Sequence, residues 1–497
     1  MAAVKELSNL NIEDILKNEV NLTFLAGAGC SYMTPSNLPL STEFVENTLA
    51  KAVPKSEFDK ILKLKQLTFE QVLKILISSK ENAIQLIDFY STCDKPNLEH
   101  FFLANMIKKG NFVITTNFDH LIEDALLMLE IPKKKIVPVI TQKDYEKYSD
   151  PSKLFETGKL PIYKLHGSLD NLITGEDTRE SFIETIKVLG VNQKMKNIAQ
   201  LEPFKSNFLE GVSSERNLIV IGYSGKNDLD IAPTIKMMKS LNNLIWINHA
   251  KDKLNKNLKK LKSDNIQSLK DIDELDQNLI DISMANPDLT VFRIDTDTNK
   301  LIETLTEGKD KIGTEKFQVN LEEWINEALK GITETTKLLI AYNIYLESNN
   351  YNDALKCLEK IYTLAEDSGD DKMKALALMN MGVVNLVQDE RDKALEWFHK
   401  SLQSQIKLKD FPERISIFKN IGMINRLKGN YKDALKFLEQ ALTLNQKLRD
   451  LNLESELHNQ IGLLYQNQSM HKEALKNFET SLKINEKQFN LQEKSFN

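Results

Sequence analysis

The feature that most restricts the fold of this chain is a 40-residue period in its last third. An alanine followed by leucine recurs at Ala354, Ala394, Ala434 and Ala474. Four residues after each alanine stands a large apolar side chain: Leu358, Phe398, Leu438 or Phe478. Twelve residues before each alanine, the first unit has a tyrosine and the other units have a glycine: Tyr342, Gly382, Gly422 and Gly462. Small residues at fixed positions let two helices pack closely, so the period predicts an all-α helix–turn–helix solenoid of about four repeats over residues 333–497.

This pattern resembles the tetratricopeptide repeat over residues 333–490. The usual repeat has a period of about 34 residues and a proline at the end of its second helix, which is missing here. About six extra residues at 1.5 Å each predict second helices that are longer by more than one turn. A solenoid presents an extended surface to other proteins, so we expect a protein trigger or partner to bind it. The last second helix has no obvious polar cap, and we therefore expect a homo-oligomer contact at that end.

Roughly the first 300 residues follow a different pattern, in which short apolar runs alternate with helical stretches. Gly, Asn, Asp or Pro bounds each run, which is typical of buried parallel strands joined by helical crossovers. The runs are Leu22–Ala26, Phe112–Thr115, Lys135–Ile140, Ile162–Leu165, Leu218–Ile221, Leu244–Ile247 and Leu289–Ile294. We therefore predict an α/β domain with a mostly parallel sheet over residues 1–310, with helical insertions at about 44–108 and 170–215. The charged segment Glu307–Phe317 marks its end, and residues 311–332 are predicted to form a linker or a helix that joins or caps the solenoid.

Charge and cysteine content argue against several classes of protein. A net charge of −6 disfavours nucleic acid as a partner, because phosphate binding needs a surplus of Lys and Arg. We interpret the lysine-rich stretch Lys253–Lys262 as a solvated helix surface. Three scattered cysteines cannot form a four-cysteine zinc site, so we expect no zinc and a reducing, cytoplasmic environment. No apolar run approaches the roughly 20 residues that span a bilayer, and the N-terminus has no hydrophobic signal core, so we expect no membrane partner.

Glycine or polar residues follow four of the predicted strands, at the carboxyl ends where open α/β sheets bind ligands. In chain order the motifs are GAGCS (27–31), TTNFD (115–119), KLHGS (164–168) and GYSGKND (222–228). The glycines of the first motif let the backbone turn tightly and approach a phosphate. The histidine of the third is a candidate general base, since imidazole ordinarily titrates near neutral pH. Each motif alone also fits a structural role: a βα turn without a ligand, an Asx cap formed by Asn117 or Asp119, or a structural His166.

In this order, and followed by LIWIN (244–248), the motifs resemble the sirtuin fold over about residues 15–305. The residues in these motifs are more similar to those of the divergent sirtuin-like domains of bacterial antiphage defence proteins than to those of protein deacetylases. The resemblance implies an α/β Rossmann-like sirtuin domain that binds NAD⁺, with Asn117 at the nicotinamide ribose, Asp119 near the nicotinamide, and His166 as the catalytic histidine at the ribose hydroxyls. The remaining implied contacts are with the phosphates (Gly27, Ala28, Gly29, Ser31), with phosphate or ribose (Gly222, Ser224), with the adenosine ribose (Asn248) and, more loosely, with adenine (Thr296 or Asp297).

Two departures from the deacetylase pattern bear on the chemistry. Deacetylase sirtuins carry a four-cysteine zinc ribbon, and an arginine in the first loop where this chain has Glu43 and Phe44. Their absence disfavours an acyl-lysine substrate, so water becomes the expected acceptor. We therefore predict a hydrolase, an NAD⁺ nucleosidase (NADase) in which Asn117 and His166 promote cleavage through an oxocarbenium-like ribose to nicotinamide and ADP-ribose. The resemblance implies a regulated antiphage effector that depletes NAD⁺ in abortive infection.

Three alternatives stay open from the sequence. ADP-ribosyl transfer or cyclisation would use the same residues, and NAD⁺-dependent deacylation would do so with a peptide acceptor. A protein that only senses a nucleotide, with the solenoid as an adaptor, would need neither Asn117 nor His166 for chemistry.

Overall fold

The computed structural model describes residues 11–18, 21–64, 67–79, 81–189, 201–225, 231–261, 273–408 and 411–495. Contacts divide the chain into two compact units, Met1–Ile332 and Thr333–Asn497. The first unit is α/β and the second is all-α, which confirms the fold class predicted from the two sequence patterns. None of the described helices is both long and apolar enough to cross a membrane.

A mostly parallel sheet forms the centre of the first unit. Its described strands are β1 (Leu22–Ala26), β2 (Phe112–Thr115), β3 (Ile136–Val139), β4 (Leu160–Lys164), β5 (Asn217–Ile221), β6 (Asn243–His249), β7 (Lys259–Leu261) and β8 (Thr290–Thr296). They lie in the order β3-β4-β2-β1-β5-β6-β8-β7. Strand β7 runs antiparallel to β8, and the other described pairs are parallel. Each predicted apolar run overlaps one of these strands.

Both faces of the sheet are buried, which explains why its strands are nearly continuous apolar runs. Phe24 of β1 lies in one core cluster and its neighbour Leu25 lies in the other. In the same way, Val113 of β2 faces the first core and Ile114 faces the second. Because each central strand contributes side chains to two cores, polar residues are left for the strand ends, where the motifs stand.

The described helices of the first unit are short. They are α1 (Ile12–Asn18), α2 (Ser41–Ala52), α3 (Lys55–Leu62), α4 (Phe69–Ser79), α5 (Asp88–Ser91), α6 (Leu98–Lys108), α7 (Leu121–Met128), α8 (Gln142–Lys147), α9 (Pro151–Glu156), α10 (Arg179–Leu189), α11 (Pro203–Ser213), α12 (Ile231–Met237), α13 (Glu274–Ala285), α14 (Thr298–Ile302) and α15 (Leu321–Ala328). Helices α2 to α6 form the first predicted insertion, and α10 and α11 form the described part of the second.

The interpretation of Lys253–Lys262 as a helix surface is wrong, because this stretch contains strand β7. Only Leu261 of the strand is buried, at 2% exposure, so the apolar signal of a strand is missing. Lys259 pairs with Asp276 across 3.5 Å, and the Lys260 ammonium lies 5.9 Å from the centre of the Phe292 ring. Lysines are typical of edge strands, where they discourage pairing with another chain, and here they give the strand the charge pattern of a solvated helix.

Helix α15, within the stretch expected to link the domains or cap the solenoid, packs inside the first unit. The Trp324 indole donates to Gln85 O at 3.1 Å, and its ring lies 6.0 Å from that of Phe89 in an edge-to-face arrangement. Just before the helix, Phe317 N donates to Pro35 O at 2.8 Å. The contacts therefore group residues up to Ile332 with the α/β unit.

The second unit is a series of helix pairs. Its described helices are α16 (Glu334–Glu347), α17 (Tyr351–Ser368), α18 (Asp371–Val387), α19 (Arg391–Leu408), α20 (Phe411–Leu427), α21 (Tyr431–Leu448), α22 (Leu451–Asn467) and α23 (His471–Ser495). Second helices α17, α19 and α21 each have 18 residues. The alanine of each period is at most 4% exposed, so it lies at the packing surface predicted for it. These four pairs confirm the predicted solenoid.

In each of the later units, a glycine in the first helix stands opposite a large apolar residue in the second helix, and this pairing has a steric cause. A Cβ on Gly382 would lie 2.7 Å from Cε1 of Phe398, and one on Gly462 would lie 2.6 Å from Cε1 of Phe478. Within a helix pair, the missing side chain of the first helix therefore makes room for the ring of the second.

We expect Gly382→Ala to lower the free energy of unfolding of the second unit by about 1–3 kcal/mol, because the added methyl group overpacks against the fully buried Phe398. Urea denaturation followed by circular dichroism measures this change. Gly211→Ala is the matched control, since Gly211 lies in helix α11 with open space around an added Cβ, and alanine favours helices. Equal destabilisation by both substitutions would contradict the steric explanation.

Candidate active site

The sheet order brings the four strand-end motifs together. Strands β4, β2, β1 and β5 are consecutive neighbours and run parallel. Their carboxyl ends therefore meet at one edge of the sheet, which is the edge where open α/β sheets bind ligands.

The glycine loop, Gly27–Ser31, packs directly on the end of β5. Gly29 N donates to Gly222 O at 2.7 Å. Gly222 has a φ of +65°, and a Cβ on it would lie 2.5 Å from Cys30 Sγ. Added Cβ atoms on Gly27 and Gly29 would lie 2.7 and 2.8 Å from Gly222 O. These glycines are therefore required by the contact between two loops, and the exposed Ala28 is left as the tip that a ligand can reach.

Ser31 is the centre of a buried hydrogen-bond network. Its hydroxyl donates to Asp119 Oδ2 at 2.6 Å and accepts from Asn117 Nδ2 at 3.1 Å. It also lies 3.1 Å from His100 Nε2. Because Asn97 N donates to Nδ1 of the same imidazole at 3.1 Å, the ring proton is on Nε2 and points to Ser31. The hydroxyl therefore uses its one proton and both of its acceptor positions.

Two residues of this network, Asn97 and His100, belong to the start of α6 and were missed by the sequence analysis. Asn97 Oδ1 accepts from the backbone N of Glu99 and of His100, and its Nδ2 donates to Cys30 O at 2.8 Å. The cap of α6 thereby holds the glycine loop. Burial lowers the pKa of His100 to about 4, so its ring is neutral at neutral pH. The one sequence signal was the capping pattern of Asn97 and His100 before an apolar helix.

Asn117 carries a buried acceptor that has no partner among the described residues. The side chain is 8% exposed, and its Oδ1 makes no hydrogen bond there. Ser31 gives its only proton to a carboxylate, so it must accept from the amide nitrogen of Asn117, and this determines which end of the amide is left over. A buried acceptor without a partner is costly, so this oxygen is suited to a hydroxyl group of a ligand.

His166 stands level with Asn117 at the same edge. Thr115 of β2 pairs with Lys164 of β4. Asn117 lies two residues after Thr115, and His166 lies two residues after Lys164. His166 is 5% exposed, and its ring centroid lies 6.3 Å from that of Phe118 at an interplanar angle of 36°. The two residues are therefore brought to neighbouring strand ends, as their catalytic assignment requires.

Asp119 is held on two sides. Its Oδ1 accepts from Leu121 N at 3.1 Å, while its Oδ2 accepts from Ser31. Lys164 Nζ donates to Asp119 O and lies 3.1 Å from Glu123 Oε1 in a fully buried pair. Asp119 therefore forms an Asx turn with Leu121 at the start of α7, where His120 occupies the N-cap position and makes no side-chain cap bond. These contacts describe a positioning residue, and contact with a nicotinamide stays a prediction.

The predicted adenosine side is built from β5, β6 and β8. Ser224 is exposed after β5, and residues 226–228 of the same motif lie outside the described residues. Asn248 Nδ2 donates to Asp295 Oδ1 at 2.5 Å, which ties the ends of β6 and β8 together. Thr296 and Asp297 both contact the backbone of the segment after β6. Their contact with a nucleotide also stays a prediction.

A serine–histidine–aspartate grouping beside the site is structural. His120 Nε2 lies 3.1 Å from Ser168 Oγ, 3.2 Å from the main-chain Asp170 O and 3.6 Å from the carboxylate Oδ1 of Asp170. A catalytic triad needs serine and aspartate on different ring nitrogens, so this ring cannot relay a proton between them. In the described parts of the chain, no cluster of His, Cys, Asp and Glu could hold a metal ion.

Glu99 is a further buried acid, and the sequence analysis did not identify it. It is 2% exposed, and its Oε2 has no hydrogen-bond partner among the described residues. Burial raises the pKa of Glu99 from 4.5 to about 7, and the charge of Asp297 adds to this effect. The folded protein therefore binds the proton more tightly than the unfolded chain, so folding stability falls as the pH rises from about 4.5 to 7.

We expect Glu99→Gln to raise the free energy of unfolding by about 3 kcal/mol near pH 8, because the buried charge is removed. Below about pH 4.5 both proteins carry a neutral side chain, and the difference should approach zero. Urea denaturation at the two pH values measures the effect. A stability difference that does not depend on pH would show that Glu99 is not the group responsible.

Two families of known proteins match parts of this chain. Residues 111–269 match the family described as SIR2-like domain, and residues 373–447 and 413–487 match the tetratricopeptide repeat. The first match includes Asn117 and His166, whereas the glycine loop lies before it. No curated protein matches the chain.

Solved structures similar to this chain cover about a third of it. Aspartyl phosphate phosphatase F from Bacillus subtilis is 14% identical with a TM-score of 0.26, and the match covers 33% of this chain and 53% of that one. BtubC from P. vanneervenii is 16% identical with a TM-score of 0.30, covering 38% and 77%. MamA is 21% identical with a TM-score of 0.26, covering 40% and 99%. The chain spans about half the length of the first of these proteins.

Proposed function

Because the chain joins a SIR2-like domain to C-terminal tetratricopeptide repeats, we propose that it is an NAD⁺ hydrolase that releases nicotinamide and ADP-ribose. The SIR2-like domain supports an NAD-related activity, and the repeats support protein interaction. The residues that we assign to the reaction are Asn117 and His166.

The observation that carries this proposal is the unpartnered, buried Oδ1 of Asn117. An asparagine with only a structural role is expected to have both ends of its amide bonded. Ribose hydroxyls are donors that can satisfy such an oxygen. Ser31 and Asp119 hold the amide in one orientation, so the acceptor is positioned before the substrate arrives, which is a source of catalytic advantage.

The reaction requires the protein mainly to position the substrate and to supply one proton acceptor. The nitrogen of the nicotinamide is cationic in NAD⁺, so it leaves as a neutral molecule with the electron pair of the bond to ribose C1′. The ribose passes through an oxocarbenium-like state, as in glycoside cleavage. Water forms the new bond to C1′, and we assign His166 to accept its proton and pass it to solvent.

The remaining assignments follow the substrate outward from the ribose. We assign the exposed tip at Ala28, between Gly27 and Gly29, to the phosphates, because a glycine loop after a strand lets the backbone approach an anion closely. Gly222 and Ser224 would contact phosphate or ribose from the β5 side. Asn248 would contact the adenosine ribose, at the end of the next strand.

Control of such an activity would be the task of the solenoid. Unregulated hydrolysis of NAD⁺ would harm the cell that makes the protein, and solenoid surfaces bind other proteins. We assign the repeats to a protein trigger or to a homo-oligomer contact that gates the site. The resemblance of the motif residues to those of antiphage sirtuin-like domains supports an antiphage role, in which a trigger produced during infection starts depletion of NAD⁺.

Incubation of the full-length protein with NAD⁺, with and without candidate protein triggers, tests this proposal through the release of nicotinamide. Release that depends on a trigger would support both hydrolysis and gating. Release in every condition would support hydrolysis and contradict gating by the repeats. Binding of NAD⁺ by calorimetry without release in any condition would favour the nucleotide sensor instead.

A further inference from the structure

Four aromatic side chains pack together, and one of them, Phe118, lies next to His166. We call Phe69, Tyr90, Phe118 and Phe182 the aromatic wall. Phe118 is its centre: its ring centroid lies 5.8 Å from Phe69 in a stacked arrangement, and 5.2 Å from Phe182 at 83°. Tyr90 lies 6.0 Å from Phe118 at 64°. All four side chains are at most 9% exposed, so the wall is closely packed.

The wall is joined to the candidate catalytic residues by short connections. Phe118 follows Asn117 directly in the chain, and its ring is the one that lies 6.3 Å from His166. Phe182 is fully buried, and a Cβ added to Gly167 would lie 3.9 Å from Phe182 Cδ2, so this ring packs beside the residue that follows His166.

The start of α10 is hydrogen-bonded to the chain segment that follows His166. Thr178 N donates to Leu169 O at 2.9 Å, and Thr178 Oγ1 donates to Ser168 O at 2.7 Å. These bonds hold the helix that carries Phe182 against the chain segment that carries His166. The wall therefore has contributions from both helical insertions and is fastened to the site itself.

An acceptor that approaches His166 from the insertion side would meet packed rings. A hydrophobic wall discriminates between acceptors by size. One additional methylene group on a substrate changes its relative rate by about 10- to 200-fold. Water passes most easily, whereas a lysine side chain, a sugar hydroxyl or a protein hydroxyl needs a wider opening.

We propose that the aromatic wall is the specificity-determining element of the reaction and restricts the acceptor to water. This inference rests on the proposed function and adds to it the reason why hydrolysis exceeds transfer. An alcohol that entered would react as water does: its oxygen bonds to ribose C1′, the bond from C1′ to the nicotinamide nitrogen breaks with its electron pair on nicotinamide, and the alcohol proton leaves through His166. The product would be an alkyl ADP-ribose.

The test uses the full-length protein, NAD⁺ and a fixed concentration of methanol or 1-propanol, under the condition in which the parent protein releases nicotinamide. Chromatography measures the ratio of alkyl ADP-ribose to ADP-ribose. Both products come from the same folded molecules, so the ratio does not depend on how much of a variant is folded. We expect Phe182→Ala to raise the ratio for 1-propanol by about tenfold or more, and the ratio for methanol by less.

Phe69→Ala provides a second opening of the wall if Phe182→Ala does not fold. Phe208→Ala is the matched control, because Phe208 is a buried ring of helix α11 that packs on Tyr145 and Tyr163 instead. Its ratio should equal that of the parent protein. Nicotinamide release with an unchanged ratio in both wall variants would overturn the inference and leave the proposed function standing. A parent protein that releases no nicotinamide in any condition would contradict the proposed function itself.

Discussion

Replacing His166 by alanine is expected to slow nicotinamide release by about 10²- to 10⁴-fold, because the attacking water loses its proton acceptor. The change should fall on kcat more than on KM, since we assign the phosphates and adenosine to other strand ends. Release of nicotinamide from NAD⁺, measured at several substrate concentrations, separates the two constants.

The control for this experiment is His249→Ala. His249 also stands at the end of a parallel strand, but it is exposed, and its Nδ1 lies 3.0 Å from Thr298 Oγ1. Its removal should leave the rate unchanged. Circular dichroism must show that His166→Ala remains folded, because the side chain is buried. A folded His166→Ala protein with the parent rate would refute the assignment of this histidine.

Replacing Asn117 by alanine is expected to slow the reaction by about 10²- to 10³-fold, the loss typical of one preorganised hydrogen-bonding group. The variant removes the buried acceptor and also leaves Ser31 without one of its donors. Asn117→Asp should lose activity as well, because a carboxylate cannot donate to Ser31 and would face the carboxylate of Asp119. Both effects are measured as rates of nicotinamide release.

Asn111→Ala is the matched control for Asn117, because both are buried asparagines that flank strand β2 at opposite ends. Asn111 Oδ1 accepts from Leu22 N, so its loss should lower stability. It should leave the turnover per folded molecule unchanged. If Asn111→Ala slows turnover as strongly as Asn117→Ala does, the effect at 117 is general destabilisation and the proposed ribose contact fails.

The strands and the solenoid could be predicted because their signals are local or periodic. A strand such as β1 is buried on both faces, so Leu22–Ala26 is apolar throughout and is visible without any knowledge of its neighbours. The solenoid repeats its contact between Gly382 and Phe398 in later units, and repetition makes a contact readable from spacing. Strand β7 has neither property, because two of its three residues are lysines and only Leu261 is buried.

The site could be predicted only in part. Motif order singled out Asn117 and His166 as candidates, but the contact of Ser31 with Asp119 joins residues 88 positions apart and depends on the pairing of β1 with β2. His100 completes that network from an insertion that has no strand signal. The orientation of the Asn117 amide follows from hydrogen-bond directions, which become visible only when the partners are placed together.

The most direct measurement is the product of the reaction in ¹⁸O-labelled water. The full-length protein is incubated with NAD⁺ and the candidate triggers, and nicotinamide and ADP-ribose are quantified by mass spectrometry. Hydrolysis with water as the acceptor predicts equal amounts of both products, with one ¹⁸O atom in each ADP-ribose. Nicotinamide released together with unlabelled cyclic or protein-linked ADP-ribose would contradict hydrolysis, and intact NAD⁺ in every condition would contradict catalysis.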